Sequence, residues 1–165
     1  MNTVKSISVL NQLLSIQQER FENYEANIIE TKDYDLLKSV SEFKNQCQID
    51  KLELIEEIIQ LGGLPIDETT STKKLFYIWL DLKTLFTKTN KEDLIQTWEY
   101  NEYLSIKHFR SILESNIQYF NFKQVQMLKN QLDTIEKNHD NLKSLGDLLL
   151  KQHIGYQEKH QSVTL

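Results

Sequence analysis

Glu136-Lys137-Asn138-His139 sets a carboxylate and an imidazole three residues apart, which puts both on one face if the segment is helical. Oxygen and nitrogen donors at that spacing suit iron or manganese. In carboxylate-bridged two-metal bundles, two helices each carry a Glu-x-x-His pair and two others each add a Glu. Three more polar residues interrupt apolar runs elsewhere in the chain: Gln17, Asp50 and Glu102. Four antiparallel helices would bring these and His139 to one height inside a bundle. Such a layer is a metal site, the remains of one, or a hydrogen-bonded network. Cys47-Gln48-Ile49-Asp50 has the pair spacing but neither expected residue. A single-metal site of Glu102, Glu136 and His139 is a smaller version of the same chemistry. A hydrogen bond from His139 to Glu102 or Asp50 would satisfy the layer with no metal.

Other residues that could do chemistry read as packing or surface. Glu19, Glu22 and Glu25 flank the first stripe and belong on a solvated face. Cys47 lies in an apolar run and reads as a small core residue. His108, His153 and His160 have no ligand spacing. No nucleophile elbow, G-x-G-x-x-G or Walker loop is present. Gly62-Gly63 follows a helix rather than preceding one, so it is a stop and not a phosphate cradle.

The elements that must position these residues are helices. Apolar residues three and four apart trace a first helix over 3–31, along Ile7, Leu10, Leu14, Gln17, Phe21, Tyr24 and Ile28. A second, capped by Asp33 or Asp35, follows Leu36, Val40, Phe43, Cys47, Asp50, Leu54, Ile58 and Leu61. Pro65 prevents its resumption. A shorter apolar segment, 72–86, carries Phe76 and Trp79. Another long helix, capped by Thr89 or Asn90, runs to Asn116 along Ile95, Trp98, Glu102, Ser105, Phe109 and Ile112. The last follows Val125, Leu128, Leu132, Ile135, His139, Leu142, Gly146 and Leu149. The pattern ends near Gln152, which gives one domain over 1–152 and a tail over 153–165.

Composition narrows the classes. The chain has 165 residues, 4 glycines and 1 proline, as long helices with few tight turns require. A net charge of −5 offers no basic face for nucleic acid. A single cysteine rules out an internal disulfide and fits a reducing compartment. No apolar run approaches the roughly 18 residues of a membrane span, and no signal-peptide core opens the chain. The expectation is a soluble cytoplasmic protein.

Connection lengths set the topology. Short links make the first two helices, and the last two, antiparallel neighbours. A helix of ~28 residues is ~42 Å long. The stretch between the second and third long helices can traverse that distance, which permits a crossover with those two helices parallel. The apolar load around segment 72–86 exceeds one contact face, so Phe76 and Trp79 are expected in a homodimer interface.

The chain resembles the ferritin-like superfamily, and within it an uncharacterised bacterial family of about this length. The resemblance rests on Leu10-Asn11-Gln12-Leu13-Leu14, on 19–25, on Glu53-Leu54 leading to Leu61-Gly62-Gly63-Leu64-Pro65, on Trp79-Leu80-Asp81-Leu82-Lys83, on Glu99 to Glu102, and on His139-Asp140. It implies an all-α, ferritin-like four-helix bundle with a long helical crossover. Carried over by position, metal chemistry would use Glu102, Glu136 and His139, with Asp50 in place of a histidine. Gln17 and Cys47 stand where carboxylates are expected. Two function classes follow. The favoured one is a non-catalytic bundle, stress-associated or an interaction protein. The alternative is an iron or manganese protein for metal oxidation or storage, enzymatically a di-metal carboxylate oxidase.

Overall fold

The computed structural model describes residues 2–28, 33–66 and 91–161, and their regular structure is entirely helical. Helix α1 is Thr3–Ile28, α2 is Tyr34–Gln60, α3 is Lys91–Asn116 and α4 is Phe122–Gln161. A short 3-10 turn, Ile117–Tyr119, joins α3 to α4. The segment 72–86, with Phe76 and Trp79, and the caps expected at Thr89 or Asn90 lie outside the described residues. Helix α4 continues past Gln152 to Gln161, beyond the apolar pattern that defines its packed face.

Local chemistry fixes the helix ends. Asp33 caps α2 from extended backbone, its side chain accepting the Leu36 N–H at 2.9 Å. At the other end Gly62 has φ +78°, a conformation that glycine reaches without a Cβ clash. Gly62 N–H donates to Ile59 C=O and Gly63 N–H to Ile58 C=O, both at 2.9 Å, closing the helix as a Schellman motif. Gly63 is also a seat: a Cβ there would stand 2.7 Å from Ile7 Cγ2. Asn11 then holds the departing chain, donating to Leu64 C=O (3.2 Å) and accepting the Ile66 N–H (2.7 Å). Asn121 and Gln124 bond reciprocally, side chain to backbone, at 2.9 and 3.0 Å, a capping box that starts α4.

Two apolar clusters fill the bundle. One holds Leu10, Leu13, Leu54, Ile58, Phe109, Leu128 and Ile135. The other holds Tyr24, Leu36, Val40, Phe43, Cys47, Ile95, Trp98 and Leu142. Each fully buried Leu or Ile contributes about 1.5–3 kcal/mol. Pairings across the interior give the direction of each helix. Asn11 meets Leu64, while Tyr24 meets Phe43 with ring centroids 6.0 Å apart, so α1 and α2 are antiparallel. Ser6 Oγ donates to Tyr119 C=O at 2.7 Å, while Tyr24 meets Trp98, so α3 also opposes α1. Gly146 of α4 faces Ile95 of α3. Helices α2 and α3 are therefore parallel. The chain leaves Ile66 beside α1's start and resumes at Lys91, paired with Asp33 at the opposite end. This is the all-α four-helix arrangement with a crossover that the resemblance implied.

Candidate functional site at the bundle centre

Between the two clusters lies the expected polar layer, with a composition that differs from the sequence reading. Helix α2 contributes Asp50 and α3 contributes Glu102, both buried, as expected. Helix α1 contributes Gln17 and, unexpectedly, Arg20, which is only 1% exposed. Helix α4 contributes Gln131 rather than His139.

Arg20 organises the centre. Its Nε donates to Glu102 Oε2 at 2.8 Å and its Nη2 to Glu102 Oε1 at 2.9 Å, a bidentate fork. Its Nη1 donates to Gln17 Oε1 and stands 4.0 Å from Asp50 Oδ2. The Tyr24 hydroxyl donates to Glu102 Oε1. Because guanidinium only donates, Gln17 must present its oxygen to Arg20. That leaves Gln17 Nε2 to donate to Asp50 Oδ2 (3.3 Å) and Gln131 Oε1 (3.1 Å). Gln131 Nε2 in turn donates to Asp50 C=O and to Glu53 Oε2, both at 3.0 Å. Gln46 Nε2 donates to Asp50 Oδ1 at 2.8 Å. The network thus takes side chains from all four helices and reaches the surface at Glu53.

Burial and charge act against each other here. Desolvation is the largest influence on the Arg20 pKa and lowers it, but the Glu102 charge and hydrogen bonds, together with Cys47 and Tyr24, outweigh it and hold the guanidinium above its ordinary range. Tyr24 is pushed well above the usual phenol value, first by burial and then by Glu102. Burial raises the Cys47 thiol to about 12 against the opposing charge of Arg20. Asp50 is raised by burial, with the Gln46 hydrogen bond and Arg20 opposing. Outside the layer, Glu19 is half-buried rather than solvated. Desolvation, with Glu22 adding repulsion, raises it to about 7.

The remaining sequence candidates lie elsewhere. Glu136 is on the outer edge of α4, paired with Arg110. His139 is at the rim, its side chain 20% exposed, with Nδ1 3.1 Å from Asp140 and Nε2 3.8 Å from Glu99. The acid within its reach is thus a chain neighbour, not Glu102 or Asp50. The reason is angular: Gln124, Gln131 and Asn138, seven residues apart, are buried on the core face of α4, which turns His139 aside. Of Asp50, Glu102, Glu136 and His139, the structure brings together the first two only. Among the described residues, no three His, Cys, Asp or Glu side chains gather to hold a metal ion.

The donor set does not fit a carboxylate-bridged metal pair. A cation between Glu102 and Asp50 would stand where the Arg20 guanidinium is, against its charge and in competition for the same oxygens.

Sequence reading missed Arg20, Tyr24's bond, Gln46 and Gln131. A signal was present: Gln17, Arg20 and Tyr24 share a face at spacings of three and four.

A family model described as "Domain of unknown function (DUF2383)" matches residues 5–115, which include Arg20, Asp50 and Glu102 but not Gln131 or His139. A crystal structure of ferritin like, diiron-carboxylate proteins from Bacillus anthracis str. Ames aligns with a TM-score of 0.67 at 18% identity, over 88% of this chain and 99% of that one. At that identity the likeness is one of fold, a ferritin-like four-helix bundle. No curated protein matches the chain.

Proposed function

We propose, from the premise that the chain belongs to the DUF2383 family of unknown function, that it is a non-catalytic ferritin-like bundle with a structural or interaction role. The observation that carries this reading is the Arg20–Glu102 fork, which commits the one buried acid of α3 to an internal ion pair. A buried pair of this kind adds little net stability over well-packed apolar residues, so its part in this reading is to fix how the helices pack. The related diiron-carboxylate fold supplies the alternative, iron oxidation or storage. That alternative needs open coordination positions on a metal. Here Glu102 accepts from Arg20 and Tyr24, and Asp50 accepts from Gln17 and Gln46. The homodimer expected through Phe76 and Trp79 belongs to this reading as the surface by which the bundle associates. Light scattering that finds only monomer at micromolar concentration removes it.

Anaerobic incubation with ferrous iron, desalting and elemental analysis test the main reading. Iron far below one per chain is expected. Near-stoichiometric iron, lost in Glu102→Gln, overturns it.

A further inference from the structure

We infer that the bundle centre is a cation site whose cation is supplied by the chain itself, and that deleting the Arg20 side chain opens it to a free alkylguanidinium. This deepens the non-catalytic reading and rests on it.

Three features support the assignment. The acceptors converge on one planar cation from three helices: both Glu102 oxygens from α3, Gln17 Oε1 from α1, and Asp50 Oδ2 from α2. Each acceptor also has a second tether that does not involve Arg20. Tyr24 holds Glu102, Gln131 holds Gln17, and Gln46 holds Asp50. The shell is thus built to keep its shape when the guanidinium leaves, which is preorganisation for a ligand of the same form. Finally, the two parallel N–H···O bonds to Glu102 select a flat fork over a spherical charge. An ammonium ion cannot reproduce them. Truncation to alanine removes two methylenes and the guanidinium, so ethylguanidinium has the matching shape.

The test is thermal unfolding of the parent and of Arg20→Ala, each titrated with ethylguanidinium, with ethylammonium at equal ionic strength, and with manganous ion. Breaking a buried pair should lower the Arg20→Ala midpoint by about 10 °C or more. Ethylguanidinium should raise that midpoint saturably, as a ligand specific for the folded state does. The parent should not respond, and Arg20→Ala/Glu102→Gln should lose the response. An equal response to ethylammonium, a response to manganous ion alone, or none beyond the parent's overturns the proposal. If Arg20→Ala does not fold alone, it is refolded with and without ethylguanidinium, and with ethylammonium: recovery of helical, cooperatively melting protein with ethylguanidinium only is expected, and no recovery, or equal recovery with ethylammonium, overturns the proposal. Iron in the parent would sink the non-catalytic reading, whereas a silent Arg20→Ala would sink only this one.

Discussion

Arg20 of α1 and Glu102 of α3 meet side-on, Nε and Nη2 against the two carboxylate oxygens, through hydrogen bonds of 2.8 and 2.9 Å, and both are sealed from solvent. The pair joins the two helical hairpins at the height of Gln17, Asp50 and Gln131. Its partners are asymmetric: Glu102 has a second donor in Tyr24, whereas among the described residues Arg20 has only the neutral oxygen of Gln17 and the more distant Asp50.

Glu102→Ala therefore leaves a guanidinium in the core without its bidentate partner. Urea unfolding should show a loss of about 3–5 kcal/mol, the range for breaking a buried ion pair. A loss under about 1 kcal/mol would place the pair among exposed salt bridges in energy.

Gln131 should matter more than His139. Gln131→Ala removes one of the two acceptors of Gln17 Nε2 and the side-chain donor to the Asp50 carbonyl, and should cost about 1 kcal/mol. His139, at the rim, should cost less on truncation. The reverse order in melting temperature would show that the layer is completed by the imidazole.

Glu19 gives stability a pH dependence. Its native pKa, about 7, lies above the value of 4.5 it has when unfolded. Between these the folded state binds more protons, so this residue's contribution falls as pH rises through that window. Glu19→Gln should melt above the parent beyond pH 7 and match it below pH 4.5. A difference that is constant with pH rejects the assignment.

Cys47 should be inert while the protein is folded. Burial raises its thiol to about 12, so little thiolate forms at neutral pH. Labelling by a thiol-specific disulfide reagent should track global unfolding in urea. Rapid labelling without denaturant would mean that the α2 face opens locally.

Helix α2 was legible almost completely. Leu36, Val40, Phe43, Cys47, Asp50, Leu54 and Ile58 are buried as their spacing requires, and Gly62 stops the helix as expected. The centre was legible in part. Asp50 and Glu102 stand out because each is a lone acid in an apolar run. Arg20 and Gln131 do not, because long polar side chains ordinarily point to water. On α1 and α4 the stripes find the buried face, with Leu10, Leu14, Gln17, Tyr24, Leu128, Leu132, Ile135 and Leu142 in the core, but they miss polar members of it. Arg20 is buried beside the stripe residue Phe21, and Asn138 beside His139. Which side of a helix meets which neighbour depends on all four helices together, and a single stripe does not contain it.

The Arg20 fork also acts as a register lock between the hairpins. Apolar layers are nearly interchangeable: a helix slipped by one turn, about 5.4 Å, still presents hydrocarbon to hydrocarbon. If α3 slips along α1 by that step, the residue opposite Arg20 becomes Trp98 or Ile106. Neither side chain can accept a hydrogen bond, so the slipped bundle takes from Arg20 its bidentate partner and carries Glu102 into an apolar layer. Only one vertical alignment of the four helices is free of that penalty, and two residues 82 positions apart define it.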